Sequence, residues 1–262
     1  MTTSNGAVLG FLDRPAPRAM AHRGGALVSE NLGIENSLAA FRHAVELGYS
    51  ILETDVHVTR DGVVYASHDG RLSRLTGRDV RISEVTSSDL DELLLDDRQP
   101  FARLEVLLAE FPDAAFSIDV KADDAVDPTC DLIDRTGTGA RVCLASFDHA
   151  RLRRIRARLP EVVTAASQRE AALVVLLPTS VLRRWPVAAD CVSLPRRWSG
   201  LPLISRRLVR RCRALDLPLH VWTVDEPEHM TELLDLGIDG IFTDRTDVLR
   251  AVLIDRGEWT TP

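Results

Sequence analysis

The sequence predicts a single α/β domain folded as a (β/α)8 TIM barrel, a parallel sheet closed on itself inside a ring of helices. Three observations predict it. Short β-branched runs alternate with amphipathic stretches along the whole chain, about eight such units can be counted, and no Pro/Gly/Ser-rich linker divides them. The alternative is an open doubly wound sheet, which more usually comes with a glycine-rich nucleotide loop that this chain lacks. At 262 residues, 45% hydrophobic and 27% charged, the chain has ample material for one large core.

Residues 1–17 read as an N-terminal extension and 18–262 as the barrel. The first strand runs from Arg18 to Ala21 and delivers His22 and Arg23 to Gly24 and Gly25, which permit a sharp turn or close approach to a ligand. Asn36 to Gly48 has helical apolar spacing, with Asn36 as a plausible N-cap and Gly48 where a helix end needs positive φ. The second strand is SILETDV (Ser50 to Val56), after which TRDG reads as a hairpin turn into VVYASHD, ending at His68 and Asp69. Further strands are AFSIDV (Ala115 to Val120), RVCLAS (Arg141 to Ser146), VVTAAS (Val162 to Ser167), DCVSLP (Asp190 to Pro195), LHVWTV (Leu219 to Val224) and GIFTD (Gly240 to Asp244). Helical stretches at His149 to Leu159, Ser205 to Leu217 and Glu228 to Gly237 lie between them. Their runs LRRIRARL and RRLVRRCRAL read as solvated outer faces, with membrane contact as the weaker alternative.

Composition excludes several functions. A net charge of −7 argues against nucleic acid as a partner, because a surface that tracks phosphates needs excess cations. No run of about eighteen apolar residues is present, and the opening residues lack a secretory signal, so a soluble, cytoplasmic protein without stable membrane insertion is expected. Cys130, Cys143, Cys191 and Cys212 lie far apart, without the spacing of a zinc or redox motif, and read as reduced and mostly buried.

Polar residues collect where a barrel places its active site, at the C-terminal ends of the strands. Glu53, Asp55 and His57 follow a period of two and project to one side of their strand. Held together, Glu53 and Asp55 repel each other unless a cation neutralises them, and such oxygen ligands suit magnesium or calcium. Taken alone, E-x-D could equally be an exposed edge. Asp119 and Lys121 repeat the spacing one strand later, and Lys121 is the only lysine in a chain whose other basic residues are arginines. A compact ammonium among arginines suggests a point charge wanted at that place. His57 shares the acids' face, whereas His43, His149, His220 and His229 read as packing or helix-surface residues.

The motifs AHRGG, IENSLAAF, SILETDVHVTRDG, SHDGRLSRLTG, SIDVK, ASFD, VWTVD and DGIFTDRTD, in this order from about Ala21 to Val248, resemble the glycerophosphodiester phosphodiesterase family in its compact form. The resemblance implies a TIM barrel that hydrolyses phosphodiesters with one bound divalent metal, Mg or Ca, usually giving glycerol 3-phosphate and an alcohol. It implies His22 and His68 as the acid–base pair, Arg23 as phosphate-binding, Glu53 and Asp55 as metal ligands, and Glu35 as an acid near the first histidine and the metal. Asp119 stands where the family more often has glutamate as a third ligand, and Ile34-Glu35-Asn36-Ser37 where it usually reads P-E-N-T. Ser146, Phe147 and Trp222 match positions around the substrate pocket, and Asp244 matches a terminal T-D motif read as supporting loop structure. The resemblance further implies that the attacking group in the first step is the substrate's own neighbouring glycerol hydroxyl, giving a cyclic phosphate that water then opens.

Two function classes follow: a metal-dependent phosphodiesterase acting on a small-molecule diester, or a barrel that binds phosphate esters without turnover. The pair of histidines favours the enzyme, since binding alone needs no acid–base pair. Within the enzyme class, a lysophospholipase D-like or cyclising activity on single-chain lipids is the alternative and calls for an apolar mouth to the pocket. The short segment from Gly70 to Pro100, where larger relatives carry a subdomain, suggests an open pocket. Oligomeric state is not legible.

Overall fold

The computed structural model describes residues 9–260. Eight parallel strands carry the architecture: β1 (Arg18–His22), β2 (Ile51–Val58), β3 (Ala115–Val120), β4 (Val142–Ala145), β5 (Val163–Thr164), β6 (Val192–Pro195), β7 (Leu219–Trp222) and β8 (Gly240–Thr243). They pair side by side in the order β5-β4-β3-β2-β1-β8-β7-β6. The sheet curls until its two end strands meet at one parallel bridge, Ala165 to Cys191, flanked by Asp190 N–H to Thr164 O and Ala166 N–H to Cys191 O, each 2.9 Å. The result is a single-domain, TIM-barrel-like α/β fold. The hairpin expected at TRDG is present, with Val64–Ala66 antiparallel to β2 and Gly62 at φ 86°.

A helix follows each strand around the outside: α1 (Leu38–Glu46), α2 (Leu104–Glu110), α3 (Val126–Thr136), α4 (His149–Arg158), α5 (Gln168–Leu176), α6 (Arg206–Ala214), α7 (Pro227–Leu236) and α8 (Thr246–Asp255). The strands' outward residues, such as Leu52, Phe116, Ile118, Leu144 and Val221, pack under these helices in the main core. The alternate residues fill the barrel's interior: Met20, Ile51, Ala115, Cys143, Ala165, Cys191 and Phe242. This alternation is the period of two expected of strands buried on both faces. The arginine-rich α4 is mostly paired with acids, Arg154 to Asp127 at 3.1 Å and Arg156 to Glu170 at 2.7 Å among them.

Three local differences from the sequence reading have physical causes. The N-cap of α1 is Ser37, whose hydroxyl accepts from Ala40 N–H at 3.1 Å, while Asn36 sits at φ 61° and its amide oxygen accepts from the Thr54 hydroxyl at 2.7 Å. The VVTAAS strand stops at Thr164 because Ser167 turns to cap α5, exchanging hydrogen bonds with Glu170 in a reciprocal box. Phe11, within the stretch read as an extension, is 1% exposed and packs with the barrel interior, edge-on to His220 at 6.2 Å. All four cysteines are buried and free.

Because Phe11 fills the floor of the barrel from outside the strand pattern, Phe11→Ala is expected to destabilise the protein by about 3–5 kcal/mol, the usual cost of emptying a buried aromatic site. Urea unfolding would show a lower midpoint at an unchanged slope.

Candidate active site

The site grows from the ends of three adjacent strands. β1 and β2 stand in register with His22 opposite Glu53, and β2 and β3 with Asp55 opposite Asp119. Gly24, at φ 84°, lets the chain leave β1 beneath α1, where a Cβ would lie 2.8 Å from the Ala40 backbone. Arg23, itself at φ 52°, turns back so that its backbone N–H donates to Glu53 at 3.1 Å and its guanidinium meets Asp55 and Glu35, each at 3.2 Å.

Each expected histidine is held at Nδ1 by a carboxylate. His22 Nδ1 lies 2.7 Å from Asp244 Oδ1, and His68 Nδ1 lies 2.7 Å from Asp69 Oδ1. In both rings Nε2 makes no hydrogen bond among the described residues, although Glu53 approaches His22 Nε2 to 3.8 Å. Burial works against protonation of His22, but the Glu53 charge and the Asp244 bond outweigh it and raise the ring to about 8. Arg74 ties the two halves together, donating to Asp69 at 2.6 Å and to both oxygens of Glu35 at 2.7 and 3.0 Å. Glu35 therefore works through Arg23 and Arg74.

The acids are buried: Glu53 7%, Asp55 2% and Asp119 8% exposed. Lys121 Nζ sits between two of them, 2.7 Å from Asp55 Oδ1 and 2.7 Å from Asp119 Oδ2. Burial opposes charge on Asp55, yet Lys121 and Arg23 hold it below the usual carboxylate range. Burial raises Glu53, with the Asp55 charge adding to it, and likewise raises Asp119. Lys121 and Arg23 thus supply part of the positive charge expected beside these acids. Among the described residues no three such side chains already converge as a metal-binding group. Asp119 Oδ1 is nonetheless buried without a hydrogen-bond donor, and Asp55 Oδ2 has only the Arg23 guanidinium beside it at 3.2 Å; hard oxygens of this kind are what Mg2+ or Ca2+ takes.

His22, Arg23, Glu53, Asp55, His68, Asp119 and Lys121 all line one cavity of about 510 Å³, together with Phe147 and Trp222. Those two rings meet edge to face at 5.7 Å, and the Lys121 ammonium lies 5.7 Å from the centre of Phe147. The other half of the cavity is apolar, walled by Ala166, Ala171, Val175, Leu194 and Leu203. His57 stays outside it, its Nε2 3.3 Å from the His68 carbonyl and its ring against Gly70, so it shapes the loop that presents His68. Ser146 is occupied with Val120 O and Arg151. Among the remaining histidines, His220 is fully buried on the barrel's inner face with neither ring nitrogen hydrogen-bonded.

The sequence analysis named Asp244 as supporting loop structure and Asp69 as a strand-end acid without seeing that each holds a histidine, and it did not single out Arg74. The structure brings Asp244 to His22 because β8 pairs with β1 and Thr243 is opposite Ala21, so the next residue on each strand faces its counterpart. Arg74 gave no signal, because it lies in a short helix, Ser73–Thr76, off the strand pattern.

The model of the glycerophosphoryl diester phosphodiesterase family matches residues 22–248. A probable glycerophosphodiester phosphodiesterase of Mycobacterium tuberculosis is 39% identical over 99% of both chains, and a human lysophospholipase D is 26% identical over 89% of this chain and 85% of its own. The fold is shared with a phosphodiesterase of Oleispira antarctica solved with its product sn-glycerol-3-phosphate, at 17% identity and a TM-score of 0.77, covering 91% of this chain and 97% of that one.

Replacing Asp244 by Asn removes a charge that favours the protonated His22 ring. NMR titration of the metal-free protein is expected to place the His22 midpoint near 8, and to show it moving down toward the ordinary value of 6.5 in Asp244→Asn.

Proposed function

Since the chain belongs to the glycerophosphoryl diester phosphodiesterase family, we propose that its strand-end site hydrolyses glycerophosphodiesters to glycerol 3-phosphate and an alcohol, with His22 and His68 as the acid–base pair. The observation that carries this reading is the matched state of the two imidazoles. Each has Nδ1 fixed by a carboxylate and Nε2 unoccupied, on the wall of one cavity that also holds two cations.

A phosphodiester carries a negative charge that repels nucleophiles. Arg23 and Lys121 offer fixed positive charge to its oxygens as more charge develops, from partly buried positions where such interactions are stronger than in bulk water. One histidine takes the proton from the attacking hydroxyl as its oxygen bonds to phosphorus, and the other returns a proton to the alkoxide as the opposite P–O bond breaks. Asp244 and Asp69 fix which ring nitrogen carries the resident proton and stabilise the ring when charged, while Arg74 keeps Asp69 in place. Phe147 and Trp222 offer apolar ring faces to the substrate beside the phosphate. Glu53, Asp55 and Asp119 would hold a divalent metal, whose chemistry there is charge neutralisation at the phosphate.

One observation favours a second substrate class. The apolar wall opposite the catalytic strands suits a diester whose glycerol carries one acyl chain, and the human relative named as a lysophospholipase D is of that kind.

His22→Ala and His68→Ala are each expected to lower kcat by about a hundredfold or more with KM little changed; near-normal turnover in either variant would make that histidine structural. Exhaustive chelation should abolish turnover, and added Mg2+ or Ca2+ should restore it. Lys121→Met is expected to lose most of the rate, with Lys121→Arg failing to recover it, because a planar fork cannot sit between Asp55 and Asp119 as a point charge does. Assay against glycerophosphocholine and lysophosphatidylcholine separates the two substrate classes.

A further inference from the structure

The mouth of the cavity carries an apolar rim that packing does not explain. Between β6 and α6 the chain makes a two-stranded hairpin, Arg197–Trp198 against Leu201–Pro202, turning at Ser199 and Gly200 with φ 48° and 81°. Its large apolar side chains face solvent: Trp198 is 55% and Leu201 71% exposed, and across the mouth Leu176 at the end of α5 is 76% exposed. Trp198 and Leu176 also line the cavity, so the rim and the apolar inner wall form one continuous surface. Elements that start from the C-terminal ends of the strands share this face of the barrel.

Four arginines stand on the hairpin and the opening turns of α5 and α6, while Asp148, Glu226 and Glu228, acids of the same face, belong to the neighbouring openings of α4 and α7. Arg169, Arg197, Arg206 and Arg207 are exposed and form no ion pair among the described residues, unlike the paired arginines of α4. Arg169 lies in the first turn of α5, and Arg206 and Arg207 open α6, where the helix end is already positive and a cation is unfavourable for folding. Only Arg196 nearby has a carboxylate, Glu232 at 3.9 Å. An exposed Trp and two Leu flanked by unpaired arginines match a bilayer surface, where the ring and the aliphatic side chains enter the headgroup boundary and the arginines meet anionic lipid. Two copies meeting through this face would bring the arginines against each other. No helix among the described residues is long and apolar enough to cross a membrane, so contact would be peripheral.

We propose that the Trp198–Leu201 hairpin and Leu176 form a docking surface for an anionic lipid bilayer, which seats the cavity mouth against the lipid so that a single-chain phosphodiester enters the apolar half without passing through water. What docking delivers rests on the proposed diesterase reading; docking itself does not, and is measured without turnover.

The experiment is sedimentation of the whole chain with vesicles of phosphatidylglycerol and, separately, of phosphatidylcholine, at low and at physiological salt. Binding to phosphatidylglycerol is expected, weakened by salt and weaker on phosphatidylcholine. Leu201→Asp and Arg197→Glu, both outside the cavity lining, should each weaken vesicle binding by about tenfold or more while turnover of soluble glycerophosphocholine and the melting temperature stay unchanged. Equal binding by wild type and both variants would overturn the proposal, as would absence of binding from an enzyme that still turns over the soluble diester. Loss of turnover with vesicle binding intact would strike the diesterase reading and leave the docking surface standing. Self-association by light scattering that Leu201→Asp abolishes, without vesicle binding, would give the rim to a second copy and overturn it too.

Discussion

Three carboxylates buried at the ends of two neighbouring strands are the constraint on which the rest of this site depends. Isolated charges of this kind are costly away from water, so Glu53, Asp55 and Asp119 require compensation at short range. The chain meets that requirement with the backbone N–H and guanidinium of Arg23 and with the ammonium of Lys121. Glu35 and Arg74 then continue the alternation of charge outward to Asp69 and His68. The same groups that make the acids tolerable are those a phosphate would meet. In the proposed reading, structural neutrality and phosphate affinity are two uses of one set of cations, and the buried Asp119 Oδ1, left without a donor, marks where compensation stops short.

How much of this was legible in the sequence follows from what each feature depends on. Strand ends are visible because period two is a local property: His22, Glu53, Asp55, Asp119 and Lys121 could be placed on one wall from spacing and register alone, and the structure brings them together in one cavity. Partners set by chain crossings are not local. The bond between His22 and Asp244 joins residues 222 positions apart, and the one between Arg74 and Glu35 joins a short helix to a loop. Competition for a residue was equally invisible. Ser167 could continue a strand or cap a helix, and its reciprocal bonds with Glu170 decide for the cap. Asn36 could cap α1, but its amide is committed to Thr54. Phe11 belongs to the barrel interior by packing, and its short flanking sequence has no periodicity to reveal it.

The cavity divides by strand. β1, β2 and β3 contribute nearly all of its charge, while the segments after β5 and β6 contribute alanine, valine, leucine and the exposed Trp198. The family match spans both sides, since it runs from residue 22 to residue 248. The apolar side was unreadable in advance because its residues are ordinary core types. Only their exposure and their adjacency to the cavity give them meaning.

The closure of the sheet has a mechanical consequence. β2 and β3 run in register from Ile51 and Ala115 to Val56 and Val120, whereas β5 is two residues long and touches β6 through a single bridge. A ring with one thin joint yields there first, in the manner of a spring clip, because the free energy of local opening follows the number of bonds broken. That joint lies under the apolar wall and across the ring from the carboxylates. The apolar wall thus rests on the least-bonded seam of the sheet, and the carboxylates on its most fully paired strands.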